Sequence, residues 1–468
     1  MSDWQQFTLG DIGKIITGKT PSTTAEDNFG DEYMFITPRD MYGQKYVRQT
    51  ERNLSEKGLN TVLRNSVPAN SICVSCIGSD MGKVVLSTER SVTNQQINSI
   101  VVEEQDVEYV YYNLLLRQDE IKSGASGSAV PIMNKSTFSQ LPINLPPLPE
   151  QKAIAHILGT LDEKIELNRQ MNQTLEAMAQ ALFKSWFVDF DPVMDNALAA
   201  GNEIPDELQA MAEKRRSVIA KGNVIANSDE GGVKQSHRLL DTNPQLAAQF
   251  PSSFVFNETL GKWIPEGWEV KSLGKLIKLI GGGTPKTSIE EYWYGNIPWF
   301  SVVDAPNDSD VFVIDTEKKV SDEGIKNSSA QILREGTTII SARGTVGKCA
   351  IVGVPMAMNQ SCYGIQNLNE NEDIFTYLLV RKNVSDLQNK SHGSVFSTIT
   401  RDTFNAIDVV VPKSGKVINV FESSLKYNFE NIKSNLFENQ TLIQLRDRLL
   451  PELISGRVRV GNGNQYET

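Results

Sequence analysis

"NRQMNQTLEAMAQALF" (168–183) and "NLFENQTLIQLRDRLL" (435–450) share the tetrapeptide NQTL, 267 residues apart. Around the first, Ile154, Leu158, Leu161, Ile165, Asn168, Asn172, Leu175, Ala179, Leu182 and Trp186 are spaced alternately by four and three. That is the a/d seam of a coiled coil rather than the broad face of a core helix. Around the second, Ile432, Asn435, Asn439, Leu442, Leu449 and Leu453 fall in the equivalent places, with Arg446 where the first has Ala179. Leu425, Phe429 and Leu436 widen its apolar face upstream. Two long helices are expected, and they are copies of one another.

The rest of the chain repeats in the same register. "LGDIGKIITGKTP" (9–21) aligns with "LGKLIKLIGGGTP" (273–285), and "FITPRD" (35–40) with "WFSVVD" (299–304), placing Asp40 opposite Asp304. "IGSDMGKV" (77–84) resembles "RGTVGKC" (343–349) with one deletion, and "TNQQINSI" (93–100) resembles "MNQSCYGI" (358–365). "GSAVPIMNKSTFSQLPINLP" (127–146) meets "GSVFSTITRDTFNAIDVVVP" (393–412). Chance does not hold one register over so many segments; this is a tandem duplication. Each copy begins with alternating strands, turns rich in Gly, Asn, Ser and Pro, and short helices such as "VEYVYYNLLLRQDEIK" (107–122).

The expected fold is therefore α+β: two duplicated α/β domains separated by two long helices, which form an antiparallel coiled coil with pseudo-twofold symmetry. The boundaries read as domain one over 1–146, central helix 147–190, a linker with a short helix over 191–259, domain two over 260–412, distal helix 413–456 and a tail 457–468. Pro146, Pro147 and Pro149 punctuate the start of the central helix. Residues 191–259 have no counterpart in the second copy, and read either as a linker whose helix packs on a partner or as a solvated connector.

Asparagines in an apolar seam are costly unless they find partners. Either they lie at the seam's edge and meet water, or they pair with each other. In an antiparallel arrangement Asn168 faces Asn439 and Asn172 faces Asn435, a central polar layer that would fix the register. A helix of about 35 residues spans roughly 50 Å. The duplication thus builds a ruler with a globular domain at each end.

At 468 residues, with 40% hydrophobic and 22% charged content, the chain has enough apolar residues for two or three domain cores. No apolar run reaches the roughly 18–20 residues of a membrane-spanning helix. "MSDWQQFTLGD" has neither a basic nor an apolar leader region, so a cytoplasmic location is expected. Four cysteines are too few for a disulfide scaffold. Cys73 and Cys76 form a CxxC, but "SICVSCIG" reads as a buried strand with no second pair or histidine to complete a zinc site, so no metal is expected. The net charge of −11 argues against broad nonspecific nucleic-acid binding, but leaves room for local basic loops.

Loops repeated on a scaffold are the candidates for function. "TGKTPS" (17–22) offers Lys19, Thr20 and Ser22; "GGGTPKTS" (281–288) offers Thr284 and Lys286. "GSDMGK" (78–83) brings Lys83, and "ARGTVGK" (342–348) brings Arg343, Thr345 and Lys348. Asn94, Gln95, Gln96, Asn359 and Gln360 supply amides, and Arg39, Lys135, Ser301 and Arg401 complete the set. Glycine-bearing, donor-rich loops suit phosphate, while Asn, Gln and Arg suit base edges. Equally, these are hairpin turns whose glycines answer to backbone geometry. "GTVGK" is not a P-loop, because Ala342 stands where Gly is needed and Cys349 where Ser or Thr is. "TNPQ" (242–245) lacks the aromatic ending of the NPPY motif of amino-methyltransferases. No catalytic constellation is evident, and the chain reads as non-catalytic.

"LPPLPEQKAIAHILGTLDEKIELNRQMNQTLEAMAQALFKSWFVDFDPV" (145–193), "PSSFVFNETLGKWIPEGWEVKSLG" (251–274) and "LIQLRDRLLPELISGRVRV" (442–460) resemble the specificity (S) subunit of type I restriction–modification systems, over nearly the full chain. The resemblance implies two target-recognition domains, each reading one half of a bipartite site on double-stranded DNA across a gap set by the helices. It implies that two modification (methyltransferase) subunits dock along the helices, followed by restriction (motor-nuclease) subunits. S-adenosylmethionine, ATP and Mg would then belong to those partners, with no cofactor bound by this chain. Other classes fit the same residues: a coiled-coil interaction scaffold that does not bind DNA, and the DNA-reading subunit of a different methyltransferase–nuclease system.

Overall fold

A computed structural model of the chain describes residues 3–123, 132–224, 243–306, 310–369, 371–391 and 398–460, with backbone alone over 220–224. The expected repeat segments at 127–131 and 393–397 lie outside the described residues, as do 225–242 and the end of the tail. Two compact units emerge: residues 1–166 with 439–468, and residues 167–438. The division falls inside both long helices, the central one at Leu148–Phe187 and the distal one at Lys416–Ile454. The central helix stops just short of its expected end because Phe190 adopts left-handed backbone (φ 55°) and a new helix, Asp191–Ala200, begins.

In the first unit, strand Gln5–Thr8 pairs antiparallel with Pro142–Leu145, closing the two ends of the domain on each other. The main sheet orders Gly13–Thr17, Ile97–Val102, Ile72–Ser75, Val84–Ser87 and Tyr46–Val47, with the last pair parallel. It is covered on both faces. One face, carrying Ile16, Cys73, Val85 and Ile97, shares a core with Met34, Ile36 and Val67 of a second five-stranded sheet. The other, with Ile15, Ile72, Val74 and Ile100, packs on Tyr109 and Tyr112 of helix Val107–Leu116 and on Ile154, Leu158, Leu450 and Leu453 of the long helices. Burial on both faces explains why "SICVSC" is apolar without alternation. It also pushes the Cys73 and Cys76 thiols up to about 11, so both stay protonated.

The second unit repeats the plan. Trp268–Ser272 pairs with Asp408–Pro412. The main sheet orders Ile277–Gly281, Cys362–Asn367, Thr338–Ser341, Cys349–Val352 and Phe312–Val313, and the smaller sheet orders Lys319–Val320, Ile297–Phe300 and Ala357–Met358. Helix Asp373–Lys382 takes the place of Val107–Leu116. Its core joins Ala179, Phe183 and Phe187 to Phe375, Phe421, Leu425 and Phe429, with the rings of Phe187 and Phe421 edge-on at 5.1 Å.

Within each unit the long helices run antiparallel, since partner numbers fall on one as they rise on the other. In the first, Glu150 accepts both Nε and Nη2 of Arg459 (2.7 and 2.9 Å), and Asp162 accepts Nη1 of Arg446 (2.8 Å). In the second, Asn168 donates to Glu438 (2.8 Å) and Asn435 donates to Asn172 (2.9 Å). Asn168 and Asn172 are fully buried, which removes the solvated-edge reading. Asn172 meets Asn435 as expected, and the Asn168 amide donates to Glu438, a carboxylate outside the expected set.

Two carboxylates that the heptad reading did not single out, Asp162 and Glu176, are also buried on the central helix. Each receives a tyrosine hydroxyl from the adjoining domain helix: Tyr112 to Asp162 (2.6 Å) and Tyr377 to Glu176 (3.1 Å). An arginine completes each group, Arg446 on Asp162 and Arg381 on Glu176. The departure of Arg446 from the heptad pattern is thus a charge partner, not a gap in the seam.

The segment expected as a linker with one short helix is more structured. It carries Asp191–Ala200, Gln209–Val224 and Pro244–Ala247, and then a hairpin of Phe254–Asn257 with Lys262–Pro265. Met194, Ala197, Ile204 and Ala212 form a small core there, beside a buried Arg215–Asp195 pair. This excludes the solvated-connector reading for the described part.

Glu422 of the distal helix is half-buried and accepts the backbone N–H of Phe375, in the first turn of helix Asp373–Lys382. Burial pushes its carboxyl up to about 8. A raised pKa in the folded state means stability that is complete below the ordinary glutamate range and is lost as pH rises toward 8. Glu422→Gln keeps an acceptor oxygen and removes the titration. Melting temperatures measured from pH 4.5 to 8.5 should show the native chain falling relative to the variant; parallel curves would exclude the effect.

Candidate functional site

In each unit, hydrogen bonds tie the repeated loops into one connected surface. In the first, Lys19 N donates to the Thr93 carbonyl (2.9 Å), Asn94 N to that of Ile36 (3.0 Å) and Cys76 N to that of Gln96 (2.7 Å). The second repeats this: Gly283 N donates to the Met358 carbonyl (2.9 Å), Asn359 N to that of Phe300 (2.9 Å) and Ala342 N to that of Ser361 (2.7 Å). The side chains match as well. Thr20 donates to Gln95 (2.6 Å), and Thr284 donates to Gln360.

The turn between Ile72–Ser75 and Val84–Ser87, and its counterpart between Thr338–Ser341 and Cys349–Val352, is the same device twice. Ser75 and Ser341 hydroxyls donate to the carbonyls of Asp80 (2.5 Å) and Thr345 (2.5 Å), and accept from the N–H of Lys83 (2.9 Å) and Lys348 (2.9 Å). Gly78 and Gly82, like Gly344 and Gly347, have positive φ between 74° and 93°. Their conservation across the duplication therefore answers to backbone geometry. Gly18 and Gly282 are required differently: a Cβ there would strike the Asn94 or Asn359 carbonyl.

The eighteen candidate residues divide by exposure and by what already holds them. Lys19, Ser22, Arg39, Gln95 and Lys135 are exposed in the first unit, and Thr284, Lys286, Arg343, Thr345, Gln360 and Arg401 in the second. These side chains face solvent. Thr20, Gln96, Lys83, Asn359 and Lys348 are half-buried. Lys135 opens the short helix Lys135–Ser139, which follows the backbone bond from Met133 N to the Cys76 carbonyl (2.9 Å). Arg401 opens Arg401–Asn405, where Ile399 N reaches the Ala342 carbonyl (3.0 Å).

Other candidates are committed to the scaffold. Asn94 is buried, donates to Gln96 Oε1 (2.9 Å) and accepts the Gln96 N–H (3.0 Å). Asn359 accepts the Ser361 N–H (2.9 Å). Ser301 forms a capping box with Asp304, its hydroxyl donating at 2.9 Å, as Thr37 does with Asp40 (2.7 Å). The remaining oxygens of Asp40 and Asp304 take the N–H groups of Glu51 (2.8 Å) and Glu317 (2.7 Å). The aligned aspartates are thus bolts that hold Arg39 and Val303 at the tips of equivalent turns.

Tyr42 and Asp80 lie among these loops and were not among the sequence candidates. Their signal is tertiary, because both act through Lys83. Tyr294 and Val303, more than three-quarters exposed in the second unit, are likewise visible only in the fold. Among the described residues, no group of three or more His, Cys, Asp or Glu is arranged to hold a metal. No helix among them is long and apolar enough to cross a membrane.

The chain belongs to the family defined by the type I restriction modification DNA specificity domain, which matches residues 1–177 and 265–433, the two halves of the duplication. The type I restriction enzyme HindI specificity subunit of Haemophilus influenzae is 29% identical, covering 98% of this chain and 100% of its own length. The MjaIX specificity subunit of Methanocaldococcus jannaschii is 25% identical, over 98% and 94% respectively. Among solved structures, a type I restriction–modification S subunit from M. genitalium superposes with a TM-score of 0.51 at 16% identity, covering 96% of each chain, which establishes a shared fold.

Proposed function

We propose that this chain is the DNA sequence-specificity subunit of a type I restriction–modification complex and is itself non-catalytic. Each recognition domain reads one half of a bipartite site on double-stranded DNA. The observation that carries this reading is the duplication of a complete loop surface, with the same hydrogen bonds and different exposed side chains. A common scaffold with unlike tips is what two different half-sites require. The exposed residues are the basic and amide groups suited to phosphates and base edges.

The long helices set the gap and dock two methyltransferase subunits, with restriction subunits joining the assembly. Leu167, Met171 and Met178 support docking: they are apolar, exposed and at helical spacing on the central helix. S-adenosylmethionine, ATP and Mg are assigned to those partners. Partner surfaces also supply phosphate neutralisation that a chain of net charge −11 lacks.

The test is methylome sequencing of a host expressing this chain with its methyltransferase. A bipartite methyladenine motif should appear and vanish on deletion. Exchanging residues 1–146 for those of another family member should change one half-site and leave the other. A change in both halves would contradict the division of labour between domains.

A further inference from the structure

Asp80, Lys83 and Tyr42 form a closed cluster among the reading loops of the first unit. Lys83 Nζ lies 2.8 Å from Asp80 Oδ1, 3.1 Å from the Pro38 carbonyl oxygen and 3.2 Å from the centre of the Tyr42 ring. The Tyr42 hydroxyl donates to the same Asp80 oxygen (3.2 Å). The cation is therefore gripped by a carboxylate, a carbonyl and an aromatic face. The cluster nevertheless opens to solvent, with Tyr42 63% exposed and the Asp80 side chain 39%.

The Asp80 carboxylate is not needed to shape its turn. Ser75 holds that turn through the Asp80 carbonyl and the Lys83 N–H, and Ser341 holds the second unit's turn through the matching groups of Thr345 and Lys348. There the residue at the Asp80 position is a threonine, in a turn one residue shorter that the same serine holds. A carboxylate oxygen at 2.8 Å from an ammonium occupies the place that a phosphate oxygen would take.

We propose, on the basis of the DNA-reading function above, that Asp80 is a built-in competitor for DNA phosphate. It holds Lys83 and Tyr42 in reserve, so any phosphate contact that the first domain makes through them is weakened by the bond to Asp80 that it displaces. Nonspecific binding draws almost entirely on phosphate contacts. A carboxylate that must be displaced, and that repels the incoming phosphate, weakens that mode. On a matched half-site, base contacts hold the loop against the groove, and the exchange of carboxylate for phosphate becomes intramolecular. Lys83, with Tyr42 and Arg39 assisting, also holds the Asp80 carboxyl below its ordinary value, so the competitor remains charged.

The test uses the full-length chain assembled with its methyltransferase subunits. Affinities are measured for the target duplex and for two duplexes, each with one half-site scrambled. Asp80→Asn should tighten binding to the duplex scrambled in the first domain's half by about 3–10-fold, the weight of one counterion-releasing contact near 0.1 M salt. The intact target and the other scrambled duplex should tighten by at least as much, since the matched half makes the same contact and no longer displaces Asp80 to make it. Asp80→Thr, which installs the second unit's own residue, should behave the same way, and Thr345→Asp should weaken binding to all three duplexes by a similar factor. No change on any duplex, or a tightening that survives undiminished in a Lys83→Met background, would overturn the proposal while leaving the DNA-reading function intact. A native complex that does not distinguish the three duplexes would overturn that function, and the proposal with it.

Discussion

Asp195→Ala is expected to destabilise the second unit by about 3–5 kcal/mol, the cost of stranding one member of a buried ion pair. Asp195 is 1% exposed and Arg215 6%, and the pair is bidentate, Nε to Oδ1 at 2.9 Å and Nη2 to Oδ2 at 2.7 Å. Asp191 lies 3.7 Å from the same guanidinium, too far to replace the lost bonds. The loss is a large part of the roughly 5–15 kcal/mol that holds a domain folded. Arg215→Met combined with Asp195→Leu should recover most of it, because apolar side chains leave no unpaired charge. Denaturant unfolding, with limited proteolysis between residues 191 and 224, measures both. A single variant costing less than about 1 kcal/mol would mean that the pair is effectively solvated.

This ion pair also marks where the sequence stops being informative. The duplication made the domains readable, because each strand and helix was constrained twice at a known offset. The pairing of Gln5–Thr8 with Pro142–Leu145 and of Trp268–Ser272 with Asp408–Pro412 lies at the domain ends that the repeat marked. Residues 191–259 occur once, so that lever was absent there. What orders them is a contact between residues 20 apart whose types, Asp and Arg, are ordinary on a surface. The heptad seam was legible for a different reason: its spacing is local. Asp162 and Glu176 fall outside that spacing and are buried by tyrosines from distant helices, which periodicity does not encode.

For the candidate site, residue type located the loops but did not say which side chains are free. Asn94 and Ser301 look like base or phosphate readers in sequence, yet a two- or three-residue hydrogen bond spends each on its own turn. That pattern was available in advance, since Thr37-x-x-Asp40 and Ser301-x-x-Asp304 are both capping signatures. The grip of Asp80 and Tyr42 on Lys83 was not, because Tyr42 arrives from a loop 41 residues away.

The asparagines of the seam give the second large effect, and their unequal burial sets its order. Asn172 is fully buried, accepts from Asn435 and donates to the Ile432 carbonyl (3.4 Å). Asn435→Leu leaves the Asn172 oxygen buried without that donor and should cost about 1–3 kcal/mol. Asn172→Leu should cost less, because half-buried Asn435 can turn its amide to solvent. The double leucine variant should be at least as stable as the native chain, since both partners of that pair are gone and leucines fill their places. What it loses is a reason to prefer one alignment of the helices over a slipped one, the role a single buried asparagine plays in simpler coiled coils. If the helices set the gap between half-sites, cells carrying the double variant should methylate motifs with more than one spacer length, where the native chain gives one. A stable double variant with a single unchanged spacer would place the register in Asn168–Glu438, Asp162–Arg446 and Glu150–Arg459 instead, the other polar pairs of the same helices.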